Sequence, residues 1–126
     1  VGSAVGAASL ARDLGRDPKT AAHWIDVLED LYVVFRVPPW SKGLARAVRK
    51  EPKHYFFDTG AVSEDRGARF ENLVACALFK ETQRLQDVEG IKASLHYLKQ
   101  KGGKEIDFLV AIDGKPRWLI EAKWFD

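Results

Sequence analysis

The sequence predicts an α/β (α+β) fold, a mixed sheet with flanking helices preceded by a small helix-turn-helix segment. Apolar residues recur at helical spacing in SLARDLGRDPKTAAHWIDVLEDL and in RGARFENLVACALFKETQRL. They alternate with period two in VVFRV, KHYFF, SLHYLKQ and EIDFLVAIDGKPRWLIEAKW. The 126 residues, 46% hydrophobic and 30% charged, suit a globular domain or two small modules packed together.

In the first helix Leu10 and Leu14 are expected to face inward, and Gly15 supplies the turn that ends it. Asp17 is placed to cap the second helix, with Pro18 at its favoured first position. Ala21, Ile25, Leu28 and Leu31 or Tyr32 then form an apolar stripe. The run LA-x-x-LG-x-x-x-x-T ending in LEDLYVVFRV resembles the helix-turn-helix of winged-helix domains. That resemblance implies a two-stranded wing, which VVFRV and KHYFF can supply. A recognition helix should offer basic or amide groups to the major groove. Here Lys19, Thr20 and His23 share the exposed face with Asp26, Glu29 and Asp30, so the helix is expected to pack rather than to read bases.

The net charge of +2 conceals an uneven distribution. Residues 1–31 sum to −2, residues 32–54 to +5 and the remainder to −1. In WSKGLARAVRKEPKH, Lys42, Arg46, Arg49, Lys50 and Lys53 follow Trp40, a pattern that can grip a phosphate backbone beside a stacking aromatic. The plain alternative is a solvated loop. HYFFDTG reads as a strand stopped by Asp58-Thr59-Gly60. On the long helix that follows, Phe70, Val74, Ala77 and Leu78 are the expected buried stripe, with Glu71 at its border. The single cysteine, Cys76, falls within that apolar pattern and reads as a packed thiol in a reducing compartment. His23, His54 and His96 are too scattered for a zinc site. No apolar stretch is long enough to span a membrane, and no signal-peptide pattern opens the chain. A cytoplasmic setting is the expectation.

The final hairpin carries the chemistry. Ile106, Phe108, Val110 and Ile112 share one face, and Trp118, Ile120, Ala122 and Trp124 share one face of its second strand. Asp107, Glu121 and Lys123 lie on the opposite faces, where a buried sheet should reject charge. A three-residue turn, Asp113-Gly114-Lys115, sets Asp107 opposite Glu121 and Glu105 opposite Lys123. A two-residue turn shifts the register by one and separates them. Without an active site, Lys123 and Glu105 form a cross-strand ion pair and the two acids are simply solvated.

Helix with a border Glu, strand, strand with Asp, turn, strand with Glu-x-Lys: this order resembles the core of PD-(D/E)XK nucleases, the restriction-endonuclease-like fold. Over residues 8–124 the chain further resembles the C-terminal half of a prokaryotic AAA-type ATPase family. The segments PKHYFFDTG, G-x-x-FEN-x-V and KEIDF…IEAKW carry that resemblance. In that family a P-loop ATPase domain precedes a winged-helix segment and a restriction-nuclease-like domain of unknown function. The chain contains no G-x-x-x-x-G-K-[ST] motif. It opens on VGSAVGAASLA and stops two residues past Trp124, so both ends read as cut from a longer protein.

The resemblance implies a winged-helix segment at 1–54 and a C-terminally truncated nuclease-like domain at 55–126. It implies Mg²⁺ or Mn²⁺ held by Glu71, Asp107 and Glu121, with Asp107, Glu121 and Lys123 catalytic. DNA, the missing N-terminal ATPase domain and a second copy of the chain are the partners it allows. The rival expectation is a non-catalytic module that binds DNA or protein for the ATPase.

Overall fold

The computed structural model describes residues 7–41, 51–63 and 65–125. Their order is α1 (Ala7–Leu14), α2 (Pro18–Asp30), β1 (Val34–Val37), β2 (Lys53–Phe56), a 3₁₀ turn (Thr59–Ala61), α3 (Arg66–Asp87), β3 (Ala93–Lys99), β4 (Glu105–Ile112) and β5 (Lys115–Ile120). This is an α+β architecture with two small antiparallel sheets, β1-β2 and β3-β4-β5. The sheets are antiparallel rather than mixed; the parallel feature among the described residues is a bridge from Pro39 to Tyr97. There the Tyr97 N–H donates to the Pro38 carbonyl and the Trp40 N–H to the Tyr97 carbonyl, which ties the segment after β1 to the free edge of β3.

Two of the helices start at an aspartate cap, one of them the cap expected at Asp17. Asp17 accepts from the Lys19 N–H at 3.1 Å ahead of Pro18, and Asp65 accepts from the Ala68 N–H at 2.8 Å ahead of α3. The apolar stripe of α2 is only partly covered. Ala21 is buried and Ile25 half-buried, but Leu14, Leu28, Leu31 and Tyr32 are exposed, the last two at 66% and 76%. Helical spacing defines a face; it does not supply something to cover it. Instead, Glu29 fastens α2 to the ribbon by accepting from Arg36 Nε at 2.8 Å and meeting His54 Nε2 at 3.1 Å, across the Arg36–His54 pair of β1 and β2. Tyr32 ends the helix with φ 57°, a left-handed conformation unusual for a bulky residue.

Among the described residues, the main core cluster draws on β1 to β4 and α3. Phe35 and Val37 of β1, Tyr55 of β2, Ala75 of α3, Leu95 and Tyr97 of β3 and Phe108 and Val110 of β4 are buried together. β2 runs across the expected boundary between residues 54 and 55, and the core takes side chains from both sides of it. On α3 the inward line is Asn72, Ala75 and Thr82, with Val74, Leu78 and Phe79 packed beside it, whereas Ala77 is exposed. β4 is the central strand, buried on both faces from Phe108 to Ala111. β5 is an edge: Ile120 packs on the core, but Trp118 is 50% exposed. Among the described residues, no helix is long and apolar enough to cross a membrane.

Candidate acidic site

The consecutive residues Phe70, Glu71 and Asn72 each reach a different partner from α3. Asn72 is fully buried and brackets the backbone of Phe56. Its Oδ1 accepts the Phe56 N–H at 2.9 Å, and its Nδ2 donates to the Phe56 carbonyl at 3.0 Å and to Thr59 Oγ1 at 3.0 Å. The Phe57 N–H bonds the Val33 carbonyl, so alternation along the ladder turns the polar groups of Phe56 away from β1. The Asn72 amide therefore stands in for a missing neighbouring strand. Cys76 Sγ adds a contact to the Phe56 carbonyl at 3.1 Å, and burial raises its thiol pKa, as suits a packed cysteine.

Glu71 is half-buried and accepts from the Tyr55 hydroxyl at 2.7 Å. Burial raises its carboxyl above the ordinary range, against the pull of the Tyr55 hydrogen bond, and the Asp107 charge pushes it further the same way. The Tyr55 hydroxyl is itself driven up by burial and by Glu71, so it stays a donor. Asp107, half-buried in β4, accepts the Ala122 N–H on Oδ2 at 2.9 Å. Among the described residues, Glu71 Oε2 and Asp107 Oδ1 have no hydrogen-bond partner.

Glu121 and Lys123 are exposed and lie just beyond β5. Their expected alignment with β4 arises by a different route. The turn has two residues, Asp113 and Gly114, with φ of 52° and 77°, and pairs Ile112 with Lys115. A bulge between Val110 and Ala111 on the β4 side, opposite Arg117, then shifts the register by one, giving Val110–Trp118 and Phe108–Ile120. Continued in that register, Asp107 stands opposite Glu121 and Glu105 opposite Lys123. The ladder itself stops at Ile120, and beyond it the Asp107 carboxylate holds the chain through Ala122.

The structure thus brings Glu71 and Asp107 into one electrostatic unit and leaves Glu121 outside it. Among the described residues, no three His, Cys, Asp or Glu side chains are grouped to hold a metal ion. Glu105 pairs with Lys53 at 3.4 Å, not with Lys123. Lys53, one of the expected phosphate contacts, is only 4% exposed and lies over the Tyr97 ring at 4.8 Å. Lys42, Arg46, Arg49 and Lys50 lie outside the described residues. Sequence reasoning missed Lys53 and Tyr55 as members of the acidic cluster. The signal was there in KHYF, whose alternation puts these two side chains on the same inward face.

Known proteins match the two ends of the chain separately. A domain of unknown function, DUF8612, matches residues 1–69, and a second, DUF4143, matches residues 66–125. Rv2008c of Mycobacterium tuberculosis and Mb2031c of Mycobacterium bovis, both uncharacterised, are each 31% identical over 116 residues. The match takes in 86% of this chain and 26% of either relative, so the chain spans about a quarter of their length. No solved structure matches it. The two domain matches meet at the start of α3, whose buried face joins both parts of the core. With more than half of its length covered by the first model, the chain belongs to the DUF8612 family, and its residues 66–125 are similar to DUF4143.

Proposed function

We propose that this chain is a nuclease-like module of an AAA-type ATPase, with Glu71 and Asp107 as a two-carboxylate site for Mg²⁺ or Mn²⁺. The observation that carries the reading is the pair itself. Two half-buried carboxylates repel each other, and among the described residues each keeps one oxygen without a hydrogen-bond partner. Hard oxygen donors of this kind suit Mg²⁺, which commonly takes one or two carboxylates and completes its shell with water. The association with an ATPase draws support from the DUF4143 match, a domain often found with ATPases. The P-loop domain, and any nucleotide hydrolysis, belong in this reading to the rest of a longer protein.

Such an ion would stabilise charge on a phosphoryl oxygen and lower the pKa of a bound water. The chain's own groups do the positioning. The Tyr55 hydroxyl holds one oxygen of Glu71, and the Ala122 N–H holds one oxygen of Asp107. Lys123, next along from Ala122, would offer its ammonium to a phosphate oxygen, and Glu121 would accept a proton from water at the same end of β5. Lys42, Arg46, Arg49 and Lys50 would contact the backbone of DNA. A second reading, an interaction module without catalysis, is favoured by one observation. Glu121 and Lys123 lie exposed past the end of β5, and among the described residues Glu121 joins no group of three metal donors.

Calorimetric titration with Mn²⁺ tests the proposal. The wild type should bind one ion at millimolar concentration or below, and Glu71→Gln and Asp107→Asn should abolish binding. In a plasmid-cleavage assay, Lys123→Ala should lower the rate by about 10²-fold or more. Its stability should change by less than about 1 kcal/mol, as for an exposed side chain. A wild type that binds no Mn²⁺ refutes the metal site, and one that binds Mn²⁺ without cleaving leaves the interaction reading.

A further inference from the structure

Two residues of β3 that the acidic site leaves unused meet beside a crevice. Ser94 and His96 are two apart on the strand, so their side chains share a face. The Ser94 hydroxyl oxygen and His96 Nε2 lie 2.8 Å apart. Both residues line a crevice of about 320 Å³ between β3 and the second half of α3. That volume falls within the roughly 300–1,000 Å³ of small-molecule sites. Phe79, Pro38 and Leu95 give it apolar walls, and Gln83 and Lys92 bring hydrogen-bond donors to it. Among the described residues Lys92 has no ion pair, and no carboxylate lines the crevice.

The imidazole is both held and tuned. Trp40 meets it edge to face, with ring centroids 5.1 Å apart at 77°. Burial lowers the His96 pKa, so the ring is neutral near pH 7 and free to take a proton. The Pro38 and Pro39 carbonyls act in the opposite sense and favour the imidazolium once it forms. His96 Nδ1 is buried and, among the described residues, makes no hydrogen bond. A histidine kept only for packing would be expected to have that nitrogen satisfied. A hydroxyl within reach of a neutral imidazole, at the wall of a cavity, is the arrangement that makes a serine nucleophilic.

We propose that Ser94 and His96 are a nucleophile–base pair that hydrolyses small carboxylic esters bound in this crevice. Ser94 Oγ bonds to the ester carbonyl carbon while its proton passes to His96 Nε2. The bond from that carbon to the leaving oxygen then breaks, and the departing alcohol takes the electron pair and the proton from Nε2. Water attacks the acyl-serine and gives a proton to His96, which returns it to Ser94 Oγ as the acid leaves. Lys92 and Gln83 supply a positive charge and an N–H for the oxyanion. The reaction consumes only ester and water, and it does not rest on the carboxylate site.

Labelling with an alkyl fluorophosphonate, in EDTA so that no metal contributes, tests it. Serine displaces fluoride from the reagent, and peptide mass spectrometry should find the phosphonyl group on Ser94. p-Nitrophenyl acetate, a small ester, should protect that residue by competing for the crevice. Ser94→Ala should take up no label. His96→Gln should be labelled about 10²-fold more slowly or worse, the usual contribution of a general base. No label on the wild type, label at residues other than Ser94, no protection by the ester, or a His96→Gln rate within about threefold of the wild type would each overturn the proposal. Should His96→Gln fail to fold, the labelled position in the wild type and its protection still decide it. Because metal is excluded, labelling of Ser94 in a protein that takes up no Mn²⁺ leaves this inference standing and removes the metal site. A protein that binds Mn²⁺ through Glu71 but is not labelled at Ser94 does the reverse.

Discussion

Replacing Asn72 by alanine should unfasten β2 from α3, and the structure sets the size of the effect. The Phe56 N–H would lose its acceptor, the fully buried Asn72 amide, because its turn of the ladder faces away from β1. A buried donor left without a partner costs about 1–3 kcal/mol. The Phe56 carbonyl keeps its contact from Cys76 Sγ, so only one of the two backbone groups is orphaned. The void left by the amide adds up to about 1 kcal/mol. Together these predict a loss of about 1–4 kcal/mol in urea unfolding followed by circular dichroism, with an unchanged m value. For a domain of this length that corresponds to a fall in Tm of roughly 10 °C. Asn72→Asp is a useful companion: it keeps an acceptor for the N–H but turns a second oxygen towards the Phe56 carbonyl, so it should recover little at neutral pH. An alanine variant within about 0.5 kcal/mol of the wild type would refute the reasoning. Another group would then be satisfying Phe56, and the clamp would not be what holds β2 to α3.

Glu71 makes the fold sensitive to pH in a direction opposite to that of a salt-bridged acid. Its folded pKa is raised, chiefly by burial, so the stability it contributes is complete below the unfolded carboxyl pKa and is lost as the pH rises through the folded value. Glu71→Gln, which still accepts from Tyr55, should therefore melt close to the wild type near pH 4 and above it near pH 7, a difference that differential scanning calorimetry can read. If Arg46 and Arg49 contact DNA phosphates, neutralising both should flatten the log–log salt dependence of DNA affinity by up to about two, at about 0.9 per contact. An unchanged slope would place the binding surface elsewhere.

What was legible in the sequence was the local chemistry. The cap at Asp17, the strands of the ribbon and the order of the final hairpin all follow from residue types and spacing, because each is decided within a few residues. Less accessible was anything depending on what lies across the core. The apolar spacing of α2 is real, yet Leu31 and Tyr32 are exposed, since a pattern reveals a face without revealing its cover. On α3 the inward line turned out to run through Asn72, a residue that composition would assign to the surface. Only the unpaired edge of β2 explains its burial, and that edge is visible only once β1 and β2 are paired. Glu71 and Asp107 were found from pattern and resemblance. Tyr55 and Lys53 complete their surroundings from a strand some 16 residues or more away in sequence, through contacts that no local periodicity encodes.

The extra residue at Arg117 has a consequence for how freely this hairpin can vary. A tight two-residue tip alone would leave β5 out of phase with the acidic end of β4, and the bulge restores the phase. It works as a spacer that separates two demands: the tip needs only the left-handed pair Asp113-Gly114, while the far end needs only the right neighbours for Asp107. Sequence change at the tip is then insulated from the acidic end. Deleting the single residue Arg117, itself far from any carboxylate in the ladder, would slide every later residue by one place. Glu121 would be carried to the opposite side of the strand, and Ala122 out of reach of Asp107.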